Sequence, residues 1–355
     1  MVPTFDKVHN HFQLNGFHYN REGLKEVAYS FIKEGDDFEI AIGEFLADWL
    51  DSKDTLTVQT SGSTGIPKSI EVSKQAMVHS ALTTGNFFEL QPKDRALLCL
   101  PAGTIAGKMM LIRAMMLGLY LDIIPPKKNL TINTRKIYQF AAMIPMQLQK
   151  NLAKLGKIKT IIVGGAPVSN DLKKTIQTIK PTVYETYGMT ETVSHIAVKQ
   201  LNNFSEEISK PYFQVLPGVI ISQDKRECLV IDAKNISEDI IVTNDVVKLQ
   251  GKTAFEWLGR IDHVINTGGV KVHPEVIENA LTAHLDTRFF IASLPDDELG
   301  ERVILVVEGE PEPIQKTVFA GLGKHEIPKD VFFVKHFQET QSGKIQRKKT
   351  LASIK

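Results

Sequence analysis

The sequence predicts an α/β protein: a large N-terminal domain with mainly parallel sheets and a small β-rich subdomain, then a small α+β C-terminal domain. Three observations carry that expectation. Apolar, β-branched runs alternate with helical patterns from Leu56 to Thr186. After Gly218 the helical patterns stop and short strands follow one another. Near Gly259–Asp262 the character changes again, which divides the chain into residues 1–259 and 260–355.

The elements follow in order. Residues 1–55 form an entry region with one amphipathic helix near Ala41 to Leu50, whose apolar stripe is Ile42, Phe45, Leu46 and Leu50. A strand, Leu56 to Gln59, runs into a Gly/Ser/Thr loop, and the pattern turns helical from Ser73. Ala96 to Leu100 reads as a buried strand ended by Pro101, residues 108–120 as a helix, and Leu121 to Ile124 as a strand stopped by Pro125 and Pro126. Thr160 to Val163, Asp171 to Ile179 and Thr182 to Thr186 repeat strand, helix and strand. The β-rich part then reads as Val219 to Ser222, Cys228 to Asp232, Ile240 to Thr243 and Val246 to Leu249, and Gly321 to Gly323 as a turn. There is no internal repeat and no low-complexity segment.

Composition narrows the function. Hydrophobic residues make up 43% and charged residues 23%, which suits a globular chain of 355 residues. A formal net charge of +1, from 42 basic and 41 acidic residues, argues against bulk attraction to nucleic acid or anionic lipid. The two cysteines, Cys99 and Cys228, build neither a disulfide framework nor a metal cluster and suit a reducing compartment. The opening MVPTFDKVHNHF has no continuous apolar run, and the most apolar stretch, Met109 to Ile124, is interrupted by Arg113 and Asp122. A spanning helix needs about 20 mostly apolar residues, so the expectation is a cytoplasmic protein without membrane insertion.

Four motifs carry chemistry. Thr60-Ser61-Gly62-Ser63-Thr64-Gly65-Ile66-Pro67-Lys68 follows a strand with hydroxyls, glycines and a lysine. Backbone N–H groups, hydroxyls and a cation suit phosphate oxygens, although the spacing is not that of a Walker A loop. Tyr187-Gly188-Met189-Thr190-Glu191 offers an aromatic face for a base and a hydroxyl beside a carboxylate for Mg²⁺. Gly259 to Val272 contains Arg260, Asp262 and the Gly268–Gly269 pair, and it is followed by Pro274 and Glu275 at a helix start. Ser342-Gly343-Lys344 presents one lysine behind a glycine, where it can face a carboxylate or phosphate. Singly, each has a plainer reading: a polar turn, a turn around a core tyrosine, an interdomain turn with a capped helix, a solvated basic tail.

Together and in this order, the four motifs resemble the acyl-adenylate-forming superfamily, which includes acyl-CoA synthetases, adenylation domains and luciferases. The resemblance covers about residues 56–350. It implies that ATP, Mg²⁺ and coenzyme A take part, and that Thr60, Ser61, Gly62, Ser63, Thr64, Gly65 and Lys68 orient the ATP phosphates. Gly164, Gly165 and Ala166 would line the adenine and acyl pockets. Tyr187 would stack on adenine beside Gly188, Thr190 would contact the adenylate, and Glu191 would bind the metal. Asp245 and Arg260 would bind ribose, Asp262 would be the hinge of a mobile C-terminal domain, and Gly269 would line the pantetheine tunnel. Lys344 would be the adenylation lysine. Three departures stand out. Gln338 replaces the proline that precedes the lysine loop, Asn244 replaces a glycine, and the phosphate loop begins so early that most of the usual N-terminal subdomain is missing.

Within the superfamily the nearest resemblance is to the short form of the o-succinylbenzoate–CoA ligase family of menaquinone biosynthesis. It rests on Thr60 to Gly65, on Pro101 to Ala114 and on Tyr187 to Ala197. The implied reaction adenylates a small-molecule carboxylic acid and passes the acyl group to a thiol. A dicarboxylate needs a partner for its second carboxylate, and Lys108, Arg113, Ser194 and His195 are the candidates. A helix-surface ion pair for Arg113 and a satisfied core histidine for His195 remain equal readings. A ligase for another aryl or acyl acid, one that loads a carrier protein, and a catalytically silent nucleotide-binding homologue stand as alternatives. A homo-oligomer is left open as a partner.

Overall fold

The computed structural model describes residues 2–60, 68–204, 212–285, 287–339 and 345–354, without the side chains of Thr60 and Lys68. The chain begins with a short hairpin, β1 (Gln13–Leu14) and β2 (Phe17–His18), then α1 (Arg21–Glu34) and α2 (Asp37–Trp49). A second hairpin, β3 (Thr55–Thr60) and β4 (Lys68–Ser73), leads to α3 (Lys74–Phe87). The α/β part follows as β5 (Arg95–Leu98), α4 (Ile105–Leu117), β6 (Tyr120–Ile123), β7 (Tyr138–Met143), α5 (Pro145–Asn151), β8 (Ile158–Val163), α6 (Asn170–Thr175) and β9 (Thr182–Gly188). Then come β10 (His195–Gln200), β11 (Phe213–Val215), β12 (Ile220–Gln223), β13 (Cys228–Asp232), β14 (Ile241–Leu249) and β15 (Ala254–Arg260). The last part holds β16 (Ile265–Thr267), β17 (Val270–Val272), α7 (Pro274–Leu281), β18 (Phe289–Asp296), β19 (Gly300–Glu308), β20 (Asp330–Val334) and α8 (Arg347–Leu351).

Thirteen of the described strands form one sheet, in the order β12-β13-β14-β15-β11-β10-β9-β8-β7-β5-β6-β1-β2. From β1 to β9 the neighbours run parallel, and from β9 through β10 to β12 they run antiparallel. The β-rich stretch is therefore a continuation of the parallel sheet. The parallel strands are covered on both faces, and their side chains divide with a period of two. Ala96, Leu98, Phe140, Ala142 and Ile162 pack with α2, α3 and α4, while Leu97, Ala141, Met143, Ile161 and Val163 pack with α5 and α6.

Helix α4 explains the apolar stretch from Met109. Met109, Met110, Leu111, Ile112, Ala114, Met115 and Met116 are all buried, so the helix is apolar on every side because it lies in the core. Among the described residues no helix is long and apolar enough to cross a membrane. Two expectations need correction. The entry region holds a further helix, α1, which is capped by Asn20 and buries only Leu24 and Ala28, too thin a stripe to stand out in the sequence. The two strands expected around Asn244–Asp245 are one strand, β14, which passes through those polar residues and takes up the irregularity as a register shift at Val246/Val247.

The second sheet begins at β16, after a 3-10 turn over Ile261–His263. It runs β17-β16-β19-β18 with β20 beside β19, and separate apolar clusters fill its two faces. Helix α7, packed on it, meets the first sheet and its helices where Asn170 Nδ2 donates to the Asn279 carbonyl at 2.7 Å and where the Gly259 backbone lies against the Glu275 carboxylate.

A glycine sets how the α4 entry packs. A Cβ on Gly107 would lie 2.2 Å from the Pro101 carbonyl oxygen and 2.9 Å from the Ala102 nitrogen, both backbone atoms. Gly107→Ala is expected to destabilise the fold by about 1–3 kcal/mol in denaturant unfolding. Gly156→Ala, with nothing within 4 Å of the new methyl, is expected to be neutral or slightly stabilising.

Candidate active site

Gly164, Gly165, Ala166 and the Tyr187–Glu191 stretch lie at the C-terminal ends of β8 and β9, the end of a parallel sheet where ligands commonly bind. Hairpin β3–β4 carries the hydroxyl and glycine loop, and its register runs to the last pair, Thr60 with Lys68. Ser61, Gly62, Ser63, Thr64 and Gly65 lie outside the described residues, as does Lys344. Glu339 and Ile345, on either side of Lys344 in the chain, form an isolated antiparallel bridge.

At the end of β8 come Gly164, Gly165 and Ala166. A Cβ on Gly164 would stand 2.3 Å from Thr186 Oγ1, and that hydroxyl donates to the Val163 carbonyl at 3.2 Å. Gly165 has φ +83°, a left-handed conformation that glycine adopts without cost.

Tyr187, near the end of β9, is half-buried with its ring edge-on to Phe255 and Phe213, at centroid distances of 5.1 and 5.8 Å. Its hydroxyl donates to Asp245 Oδ2 at 2.6 Å. Burial above all, and then the Asp245 carboxylate, push its phenol far above the ordinary tyrosine range. Asp245 on β14 and Arg260 on β15 are cross-strand partners, 3.8 Å apart between Oδ1 and Nη1. The hairpin thus joins residues distant in sequence. Arg260 also donates to Asp262 Oδ2 at 3.1 Å, which ties the hairpin to the turn between the two sheets.

After β9 the chain forms a 3-10 turn over Thr190–Thr192. Thr192 is buried and knots the turn, accepting from the Met189 N–H while its single hydroxyl proton faces the Met189 and Ser194 carbonyls, 2.9 and 2.8 Å away. Glu191 is left exposed beside Thr190. Among the described residues no three His, Cys, Asp or Glu side chains gather as a metal-binding group. One exposed carboxylate suits magnesium, which takes one or two carboxylates and fills its octahedron with phosphate oxygens and water.

Beyond the turn, Arg113, Ser194 and His195 come together. Arg113 reaches from α4 and is 2% exposed, and its Nη2 donates to Ser194 Oγ at 2.7 Å. Ser194 Oγ lies 3.3 Å from His195 Nδ1, and His195 Nε2 lies 3.5 Å from Thr84 Oγ1 on α3. Thr84 donates its own proton to the Ser80 carbonyl at 3.0 Å, so it accepts from His195, and this selects the tautomer with the proton on Nε2. Burial lowers the Arg113 guanidinium to about 9. Burial, and then the Arg113 charge, hold the His195 imidazole well below its ordinary value. Among the described residues no carboxylate lies within ion-pair distance of Arg113, and its buried Nε has no hydrogen-bond partner. Gly188 makes the approach possible, because a Cβ there would lie 2.4 Å from the Ser194 carbonyl oxygen and 2.5 Å from the His195 Cα.

Lys108 does not join this group. Its Nζ sits 5.1 Å from the centre of the Phe45 ring on α2, near Asp48 and Glu44, and burial lowers its pKa. Five positions along a helix turn two side chains well apart. Gly269 and Gly268 form the β16–β17 turn with φ +79° and +60°, which accounts for the pair by turn geometry. Thr84 was not anticipated from sequence. Its one signal is that Ser80 and Thr84 stand a helical turn apart on the buried side of α3.

A family model for AMP-binding enzymes matches residues 18–227, and the chain belongs to that family. It is an AMP-forming acid–CoA ligase of this nucleotide-binding enzyme family. An acyl-CoA synthetase (AMP-forming)/AMP-acid ligase II-like protein from Dyadobacter fermentans is 34% identical, with a TM-score of 0.61 and coverage of 93% of this chain and 98% of that one. A 2-succinylbenzoate–CoA ligase from Listeria monocytogenes is 24% identical over 98% of this chain and 85% of its own length. In fold the chain also resembles the o-succinylbenzoate coenzyme A synthetase of Bacillus subtilis solved with ATP and magnesium, with TM-score 0.68, 20% identity, and 83% and 69% of the two chains covered.

Because burial and a neighbouring cation both oppose the imidazolium, His195 is expected to stay neutral while an ordinary histidine titrates around pH 6.5. A depressed histidine leaves stability intact above that pH and removes it as the pH falls below, where the unfolded chain gains a proton that the fold refuses. In an NMR titration the His195 ring signals should stay flat between about pH 5.5 and 7.5. A midpoint near 6.5 would contradict the buried network.

Proposed function

We propose that the protein joins o-succinylbenzoate to coenzyme A through an acyl-adenylate, as a step of menaquinone biosynthesis. The observation that carries this reading is the Arg113 guanidinium, buried against Ser194 with no carboxylate within ion-pair distance among the described residues. A buried cation calls for an anion, and a dicarboxylic acid supplies one while its other carboxylate reacts. Arginine matches carboxylate geometry with a fork of donors. The names of the Listeria and Bacillus relatives support the same acid.

In this reading the hydroxyl loop from Thr60 to Lys68 cradles the ATP phosphates. Tyr187, Gly164, Gly165 and Ala166 hold the adenine, and Asp245 with Arg260 holds the ribose. Thr190 contacts the adenylate, and Glu191 takes the magnesium ion, which neutralises phosphate charge when bound. The acid's reacting carboxylate attacks the α-phosphorus and pyrophosphate leaves. The protein works by positioning and by placing Lys344 against the developing charge. Residues 260–355 then turn about Asp262, Lys344 withdraws, and the thiol of coenzyme A attacks the acyl carbonyl past Gly269, releasing AMP.

The test pairs substrate and variant. With o-succinylbenzoate, Arg113→Ala should raise KM roughly thirtyfold or more, since removing one partner of a buried charge pair costs about 2–5 kcal/mol. With benzoate, which lacks the second carboxylate, the variant should lose much less. Equal losses with both acids, or a wild-type preference for benzoate or a fatty acid, would overturn the substrate assignment. Lys344→Ala should abolish pyrophosphate release yet retain thioester formation from supplied acyl-adenylate.

A further inference from the structure

Glu339 and Arg347, described residues on either side of residues 340–344 in the chain, make charged contacts that the reaction as described does not use. Upstream, Glu339 pairs with Arg288, which also reaches Glu308 at 3.0 Å and lies over the Phe337 ring. Glu339 and Ile345 are bridged, and the Gln346 N–H donates to the Gln338 carbonyl at 2.7 Å. Downstream, Arg347 opens α8, three positions after Lys344. Its Nη2 donates to Glu278 Oε2 on α7 at 2.8 Å, its Nη1 donates to the Ile291 carbonyl at 3.3 Å, and its guanidinium lies over the Phe290 ring. Glu275, one turn earlier on α7, stands 3.9 Å from Arg347 Nη1 and accepts from His263 Nδ1 at 2.5 Å. Its other oxygen is buried, without a hydrogen-bond partner among the described residues, where the Gly259 backbone comes close. An unbroken run of contacts thus leads from the interdomain turn through Glu275 to Arg347.

We propose that Arg347, held by Glu278 and Glu275, is a positioning residue for Lys344 that fixes the backbone at residues 345–347, next to that lysine in the chain. This rests on the assignment of Lys344 to the adenylation half-reaction. A lysine has four rotatable bonds, so its ammonium finds the α-phosphate only if its backbone is held. The arginine fork, gripped by a carboxylate and a carbonyl and backed by an aromatic ring, holds it in a way a single point charge would not.

The Glu278 grip depends on pH. The charged groups facing Glu278 are Arg347 from α8 and Glu275 on its own helix, and β18 contributes the Ile291 N–H, which donates to Oε1 at 2.8 Å. Burial raises the Glu278 carboxyl to about 7 against the pull of Arg347. Above that pH the carboxylate is charged and grips Arg347. As the pH falls through it, the carboxyl gains a proton and the grip loosens. The adenylation rate should therefore carry a step near neutrality that belongs to Glu278.

The experiment measures both half-reactions, pyrophosphate release and thioester formation from supplied acyl-adenylate, on folded protein across pH. Arg347→Ala should lower pyrophosphate release by about a hundredfold, the loss that a misplacement of about 1 Å produces, with thioester formation unchanged. Glu278→Gln keeps the shape and the acceptor for Ile291. It should lower pyrophosphate release at high pH and remove the step near neutrality. A merely structural role would lower both half-reactions together and leave the step in place, which overturns the proposal. Wild-type pyrophosphate release in both variants, while Lys344→Ala abolishes it, also overturns the proposal and leaves the lysine assignment standing. If Lys344→Ala itself retains pyrophosphate release, the lysine assignment fails and the proposal falls with it.

Discussion

Backbone pairing along Thr182–Gly188 is the constraint on which the rest of the site depends. Strand β9 has parallel β8 on one side and antiparallel β10 on the other, so the large sheet changes sense across this single strand. Parallel pairing brings the end of β8, with Gly164 and Gly165, level with Thr186 and Tyr187. Antiparallel pairing turns the chain back at once and places Ser194 and His195 beside the strand they just left. The return is close enough that Gly188 tolerates no side chain. The residues proposed to face the nucleotide and those proposed to face the acid thus share one backbone element, and neither set can shift without the other.

Charge is handled in three different ways around that strand. Asp245 is buried yet served by Tyr187, with Arg260 beside it. Glu278 is half-buried and served by Arg347 and by the Ile291 backbone. Arg113 is more buried than either but has a serine hydroxyl where a carboxylate would be expected. Desolvating a guanidinium without an opposite charge is unfavourable, and its lowered pKa records that cost. The first two arrangements are complete within the chain, and the third is suited to receive an anion. This difference ranks Arg113 ahead of Lys108, whose ammonium is already covered by Phe45 and by the acidic side of α2.

The second sheet is joined to the first by short-range polar contacts. Arg260 bonds Asp262, His263 bonds Glu275, and Glu275 faces Gly259. The apolar clusters on the two sides are distinct, which leaves the second sheet with a core of its own. Polar links across a narrow junction cost little to exchange, a property that suits a domain proposed to turn.

Local chemistry determined much of this protein. Period-two and helical patterns were enough for the α/β alternation from β3 to β9, because one face of each element must meet the core whatever the topology. Tyr187 to Glu191 was legible as a strand end followed by a turn, since both depend on neighbours within a few positions, whereas the hydroxyl loop and Lys344 lie outside the described residues. Helix α1 escaped because burying two side chains leaves almost no pattern, and β14 was read as two strands because Asn244 and Asp245 look like a turn until cross-strand pairing places them. Only the tertiary structure decided which candidates meet. Arg113, Ser194, His195 and Thr84 come from three separate elements, and Asp245 reaches Tyr187 across the sheet. Contacts between residues that far apart are fixed by strand order and helix packing, which no local pattern encodes.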